Sequence, residues 1–414
     1  MYEGLNVHTE IGPLKKVMLH RPGLDMLYFG DEDFDRVWFH DALYIEVAQK
    51  EHDAFANLLR SEGAEVLYLE DLLREALDAD PDARRVFTDA YLAESRLAGT
   101  EYIAAAREFL DAIPDTSAFV ERVFRGIRRR EVDLPKASAQ TLVEMAEAGG
   151  DADSLIDPLP SSYFTRDAFA IVGNGVNMSR MYHYNRNRET LLGDTIFTYH
   201  PEYKDVPRWY DRKSAFHTEG GDVLNFSRHT LAIGLSERTE AAAIDQMAQN
   251  MFWGSEECEI KEILAFKIPK SYAFMHLDTV FTQIDVDTFT VHPNILGNLV
   301  VYRLTPGAKP GEVHIEEIDD TLEHILEKAL GLDAVKLIEC GGGDPVLAAR
   351  EQWNDGSNTL CVKPGVVCVY DRNVVTNDLL YKNGIKLLTV PSAELSRGRG
   401  GPRCMSMPFW REEL

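Results

Sequence analysis

Short apolar, strand-like runs alternate with helical stretches along most of this chain, and that alternation constrains its fold more than any other feature. Lys15–His20 and Glu65–Leu69 read as strands, and between them Val47, Phe55, Leu58 and Leu59 gather mainly on one helical face. Further strands are predicted at Phe169–Met178, Thr230–Gly234, Leu264–Ile268, Leu299–Leu304, Ala334–Glu339, Val366–Tyr370 and Ile385–Val390. Helices are predicted at Arg238–Met251 and Ile318–Leu330. Strands and helices interleaved in this way read as an α/β fold.

Residues 70 to about 150 break the pattern. They are rich in Ala, Glu, Arg, Leu and Asp, with little strand signal. Phe119, Val123 and Ile127 step by four along one helical face. The stretch reads as a helical bundle (71–150) inserted into an α/β body formed by residues 1–70 and 151–414, with Gly149-Gly150-Asp151 marking its exit. Glu219-Gly220-Gly221-Asp222 returns in altered form as Gly341-Gly342-Gly343-Asp344, an echo of the kind that pseudo-symmetric folds such as propellers carry.

At 414 residues the chain can bury a large core. Its Lys+Arg total of 43 against 68 Asp+Glu leaves a net charge of −25. That balance argues against nucleic acid, whose phosphates demand a basic footprint. It is compatible with a cationic substrate. The N-terminus has neither a basic nor an apolar targeting segment, and no apolar run reaches the ~18 residues that span a membrane. A cytoplasmic protein is expected.

The five cysteines include no close C-x-x-C pair, which argues against a disulfide framework and a thiolate zinc site. Cys361 and Cys368 lie in apolar runs and read as buried small hydrophobes. Cys404 is different. It follows Ser396-Arg397-Gly398-Arg399-Gly400-Gly401-Pro402-Arg403, whose three arginines should favour the thiolate, the nucleophilic form.

Three other polar segments stand in apolar surroundings: Phe164-Thr165-Arg166-Asp167, His217 to Asp222, and Met275 to Thr279. On an extended chain His276 and Asp278 would project from one face, the histidine to move protons and the carboxylate to hold a cation. His217 and Glu219 repeat the spacing. Pooled with His276 and Asp278 they would also make a hydrolase metal site, although no H-E-x-x-H or comparable motif is present. The glycines before Cys404 could instead cradle a phosphate, but the helix and βαβ unit of a dinucleotide site are missing.

In their order these segments resemble the arginine deiminase family of guanidine-modifying enzymes. The shared motifs are FTRD at Phe164–Asp167, HTEGGDV at His217–Val223, SERT at Ser236–Thr239, MHLDTVFT at Met275–Thr282 and SRGRGGPRCMSMP at Ser396–Pro408. Asn354–Asn358 and Tyr370–Asn373 are similar to family sequence as well. The resemblance implies a pentein-like, five-bladed pseudo-symmetric α/β propeller with an inserted helical bundle. It implies hydrolysis of L-arginine to L-citrulline and ammonia with no metal or organic cofactor, in arginine catabolism, by a homo-oligomer. Carried over by position, Cys404 is the nucleophile and His276 the general acid and base. Glu219 supports the histidine, and Asp167 and Asp278 grip the guanidinium. Phe164, Arg186 and Arg238 hold the amino-acid end of the substrate. Arg399 gates the pocket, with its glycine neighbours as a hinge. Ser161 stands where the family commonly has asparagine, and the shorter hydroxyl offers fewer donors.

Attack by Cys404 would leave a covalent thiouronium that water then hydrolyses. The rival readings are a related guanidine-modifying enzyme acting on agmatine or dimethylarginine, an amidinotransferase, and a non-catalytic binding protein on the same scaffold.

Overall fold

One arrangement of strands recurs five times in the protein, whose computed structural model describes residues 3–39, 41–134, 142, 154–269 and 274–414. In each unit a first strand pairs antiparallel with a second, and a helix then returns the chain to a third strand parallel to the second. A parallel pair needs such a crossover. Phe169–Val172, Gly175–Met178 and Arg208–Tyr210 form one unit around helix Asn187–Tyr199. Val223–Asn225, Thr230–Leu235 and Glu262–Lys267 form the next around Ala241–Gln249. Phe281–Gln283, Thr288–Val291 and Lys336–Glu339 follow with Leu322–Leu330. Leu360–Lys363, Val366–Tyr370 and Lys386–Val390 enclose Val374–Lys382. The remaining unit joins the chain ends. C-terminal Met407–Arg411 pairs antiparallel with Leu14–Leu19, which runs parallel to Glu65–Tyr68 across helix Ile45–Ser61.

The predicted strand Phe169–Met178 is a hairpin, because Gly173 takes φ +61° and reverses the chain inside an otherwise apolar run. Ile318 belongs to a strand, Val313–Thr321, and not to the helix predicted from residue 318. The helix begins at Leu322, where the Thr321 hydroxyl caps His324 N. Val313–Thr321 pairs with Asn298–Pro306, and this long hairpin extends the sheet of Glu262–Lys267.

Four consecutive helices, Leu69–Ala79, Ala83–Glu94, Thr100–Asp111 and Thr116–Arg125, occupy the strand-poor stretch. Their buried faces, including Leu73, Phe87, Leu110 and Phe119, share one core with Phe169 and Ile196. The four-residue step through Phe119 and Val123 does not continue to Ile127 as helix. Gly126, at φ +73°, ends it, and Ile127 is buried in a short strand against Ser154–Ile156. The exit predicted at Gly149-Gly150-Asp151 lies outside the described residues.

The Gly341–Gly343 echo has a different place from its counterpart. Gly220–Asp222 directly precedes a first strand, whereas Cys340–Gly343 follows a third strand and leads into helix Pro345–Gln352, capped by Asp344. The repetition of the fold lies in strand pairing, where the residues need only be apolar. No helix among the described residues is long and apolar enough to cross a membrane.

Gly126 makes the junction between helix and strand testable. A Cβ there would meet Ile156 O at 2.3 Å. Gly126→Ala is expected to lower stability by about 3 kcal/mol, read by urea unfolding; an unchanged midpoint would contradict the reading.

Candidate active site

Each first strand is preceded by an irregular segment, and these five segments carry the site. Asp167 precedes Phe169, Glu219 precedes Val223, His276 and Asp278 precede Phe281, Asn358 precedes Leu360, and Cys404 precedes Met407. Hydrogen bonds link the segments into a closed ring. Gly220 N donates to Asp167 O at 3.1 Å, and Leu277 N to Asp222 Oδ1 at 2.9 Å. Asn358 Nδ2 donates to Asp278 O at 3.3 Å, Cys404 N to Asn358 Oδ1 at 3.1 Å, and Arg166 N to Cys404 O at 3.1 Å. Residues far apart in sequence therefore share one buried centre.

Ser161, Phe164, Asp167 and Arg186 line a single pocket with Arg238, His276, Arg399 and Cys404. Glu219 and Asp278 stand against these residues, through His276 and Cys404 respectively. All of the site residues implied by the family resemblance come together. A larger cavity of about 270 Å³ lies elsewhere, beside His20 and Phe124, and does not contain this chemistry.

Cys404 is buried, with Sγ 3.8 Å from Asp278 Oδ2. Burial and the carboxylates of Asp278, Asp167 and Asp355 push its pKa well above the ordinary thiol range, against the pull of Arg403. This corrects the expectation that the arginine-rich tail favours the thiolate. Nearness in sequence is not nearness in space: Arg397 turns outward to Asp41, 3.3 Å away, and Arg399 stacks on Trp353.

His276 Nε2 lies 2.7 Å from Glu219 Oε2, and its Nδ1 lies 3.9 Å from Asp167 Oδ1. Burial alone would lower its pKa, but Asp167, Glu219 and Asp222 outweigh that and raise it to about 9. Glu219 is itself held well below the usual carboxylate range, as Arg238 and His276 overcome its burial. The glycines of the HTEGGD motif serve close approach. A Cβ on Gly221 would meet His276 Nδ1 at 2.5 Å, and one on Gly220 would meet Arg166 O at 2.0 Å. Asp222 accepts from Ser236 and Thr239 as well as Leu277 N, which ties the SERT and HLD segments together.

His276 and Asp278 do not share a face. His276 is extended, but Leu277–Thr279 forms a tight 3₁₀ turn, which sends Asp278 to Arg403 and Cys404 instead. His217 is outside the pocket, half-buried with Nδ1 against Met181 O at 3.0 Å. Of the pooled metal ligands only Glu219 and His276 belong to a compact group. Among the described residues Asp167, Glu219 and His276 have ligand atoms within 4.8 Å of one another, and two of them already carry arginines.

The arginines are engaged. Arg186 Nη1 donates to Asp167 Oδ2 at 2.9 Å, and its Nε and Nη2 donate to both oxygens of Glu189. Arg238 Nη1 donates to Glu219 Oε2 at 3.0 Å beneath the Trp38 ring. Asp167 Oδ1 and Asp278 Oδ1 are buried without hydrogen-bond partners. The remaining void is about 20 Å³, room for about one water. The glycines beside Arg399 are packed tight: a Cβ on Gly398 would meet Tyr163 Oη at 1.7 Å, and one on Gly400 would meet Phe164 at 2.3 Å. Close packing accounts for glycine at these two positions.

Sequence reasoning missed Trp38 and gave no task to Met275 and Thr279, the ends of a segment it named; all three line the pocket. It named the Asn354–Asn358 segment without giving it a task; Asn358 holds the Cys404 backbone and Asp355 faces Arg399. No local pattern marks Trp38, which takes φ +52° and offers its carbonyl to Ser161 Oγ at 3.2 Å.

The raised pKa of His276 has a definite sign. A histidine held protonated in the fold contributes stability that is complete below its unfolded value of 6.5 and is lost as pH rises through about 9. A ring-nitrogen NMR titration of the substrate-free protein is expected to find a midpoint near 9; a midpoint at or below 6.5 would overturn the assignment.

Residues 35–411 match the family model of arginine deiminase. The arginine deiminase of Treponema denticola is 49% identical over 411 residues, covering 99% of this chain and 99% of that one. That of Streptococcus agalactiae serotype Ia is 48% identical over 411 residues, covering 99% and 98%. Among solved structures, an amidinotransferase of the saxitoxin biosynthetic pathway from Microseira wollei aligns at a TM-score of 0.53 and 15% identity, over 99% of this chain and 98% of that one. The inosamine-phosphate amidinotransferase of Streptomyces griseus aligns at 0.52 and 14%, over 100% and 98%. At such identity the structural likeness is one of fold, the mixed α/β pentein fold. By its sequence relatives, over nearly its whole length, the chain belongs to the arginine deiminase family.

Proposed function

We propose that this protein hydrolyses L-arginine to L-citrulline and ammonia through a covalent intermediate on Cys404. The observation that carries the reading is the pair Asp167 and Asp278. Each has one oxygen bound by a buried arginine and the other without a hydrogen-bond partner, and both act on the Cys404 thiol. A guanidinium supplies the paired, charge-assisted donors that such oxygens lack.

In the substrate-free enzyme the thiol stays protonated. A bound guanidinium brings positive charge beside it and favours the thiolate, the thiol proton passing to solvent. Sulfur then bonds to the guanidinium carbon. His276, protonated at neutral pH, gives its proton to the departing nitrogen, the C–N bond breaks, and ammonia leaves. The thiouronium remains on Cys404. Neutral His276 takes a proton from water as the water oxygen bonds to the carbon. The added hydroxyl's proton passes to sulfur as the S–C bond breaks, which restores the thiol, and citrulline leaves. Glu219 keeps His276 oriented throughout and favours its protonated form before each turnover.

Arg186 and Arg238 line the pocket and suit the substrate's carboxylate. Arg238 retains a buried Nε without a hydrogen-bond partner for it. Phe164 walls the aliphatic stem. Ser161, spent on Trp38, leaves this end with fewer donors than an asparagine would offer. The void is far below the ~300 Å³ of a typical ligand site, so the Arg397–Arg403 loop moves on entry, with Arg399 as the gate.

No metal or organic cofactor has a role in this scheme. We assign the protein to arginine catabolism in the cytoplasm, as a homo-oligomer. In this reading the five units form the blades of a propeller, residues 1–70 and 151–414 make the catalytic body, and 71–150 are its helical insertion.

A citrulline assay with arginine and methylated arginine, and ammonia release from agmatine, test the reading. Arginine is expected to be preferred, because agmatine offers nothing to Arg186 and Arg238; equal turnover of agmatine would favour the rival. Cys404→Ser is expected to reduce citrulline formation by at least about 1,000-fold with melting unchanged; near-normal product would sink the covalent route. Dialysis against a chelator is expected to leave activity intact, whereas a loss restored by zinc would favour metal hydrolysis.

A further inference from the structure

Arg403 is buried, and every hydrogen bond of its guanidinium goes to the site's foundations. Its Nε and Nη2 donate to Glu10 Oε2 and Oε1 at 3.0 and 3.1 Å, and Nη2 also reaches Val223 O at 2.9 Å. Its Nη1 donates to Asp278 Oδ2 at 2.7 Å. Glu10 in turn accepts from Asn225 N at 3.0 Å, and its own N donates to Asn225 O at 2.8 Å. A glutamate from the N-terminal segment thus locks the arginine fork, and the fork locks one oxygen of Asp278, leaving Oδ1 open.

The same construction stands at the other substrate-facing carboxylate. Glu189 takes Arg186 through two hydrogen bonds, and Arg186 Nη1 holds Asp167 Oδ2, again leaving Oδ1 open. Two Glu–Arg–Asp relays built alike argue that the open oxygens are an organised feature. A fork held by both arms cannot turn, so the carboxylate plane beyond it is fixed as well.

We infer that Glu10 is a positioning residue for the hydrolysis: through Arg403 it fixes the Asp278 carboxylate and balances the cation adjoining Cys404. The inference rests on the reading that Cys404 and Asp278 act on the guanidinium. Glu10 is held down to a pKa of about 2 by Arg403, Arg166 and Arg411 despite its burial, so it remains an anion. Facing Cys404 are Asp278, Asp167, Asp355 and Arg403, with His276 and Arg399 in the same pocket. Removing the Glu10 charge leaves Arg403 less balanced, and the field at the thiol shifts toward the thiolate.

Glu10→Gln separates this role from a merely structural one. Its kcat/KM for arginine is expected to fall about 100-fold as Asp278 loses its orientation. The substrate-free Cys404 titration, read by ultraviolet thiolate absorbance against Cys404→Ser, is expected to fall by about one pH unit. Activity within about threefold of wild type, or a loss that tracks melting with no change in the thiol titration, overturns the inference. Should Glu10→Gln not fold, Arg403→Lys carries the test. It keeps the charge but cannot fork, and kcat/KM is expected to fall at least about tenfold; wild-type activity there overturns the inference equally. An active wild type with an unaffected variant removes this inference alone, whereas a wild type making no citrulline removes the reading beneath it.

Discussion

The structure turns on charge balance in a dry centre. Asp167, Glu219 and Asp278 are buried around Cys404 and His276, where an unpaired carboxylate is costly. Each has its own arginine: Arg186, Arg238 and Arg403. Breaking such a buried pair typically costs about 3–5 kcal/mol, so these positions depend on one another. The same balance sets the chemistry. Burial and excess negative field keep Cys404 a thiol, and the same field outweighs burial to keep His276 an imidazolium. In the proposed reaction the substrate's guanidinium supplies the missing charge, and its arrival makes the thiol reactive.

Charge balance of this kind needs placement, and the five-unit architecture provides it. Each unit buries its sheet with one crossover helix and is preceded by a segment free of regular pairing. Those segments hydrogen-bond to one another in a ring, so their side chains converge. The glycines at the convergence are small because their neighbours are near: Gly221 under His276, Gly220 against Arg166, Gly401 against Asn358. The pairing of Met407–Arg411 with Leu14–Leu19 brings Glu10 and Cys404 into the same centre although they lie near opposite chain ends.

The readings that failed share one cause. The cationic tail around Cys404, the paired faces of His276 and Asp278, and the His217 ligand were all inferred from neighbours along the chain. In the fold Arg397 leaves for Asp41, a 3₁₀ turn separates His276 from Asp278, and His217 stays outside. Ile127 and Ile318 fit a helical step but fall beyond a glycine at positive φ and before a threonine cap. Local geometry at a single residue overrode the periodicity.

The sequence by itself determined the α/β class, the strand-poor helical stretch and the set of polar residues that converge at the centre, because apolar period and ordered motifs are local properties of a chain. Cys404, His276, Glu219, Asp167 and Asp278 were all legible in that way. Only the tertiary structure decided which groups face one another, and therefore the protonation states. The thiol is held protonated by burial and by carboxylates from other units, and Asp278 is held by Glu10 through Arg403. Electrostatic fields depend on distance through space, and no spacing along the chain records it.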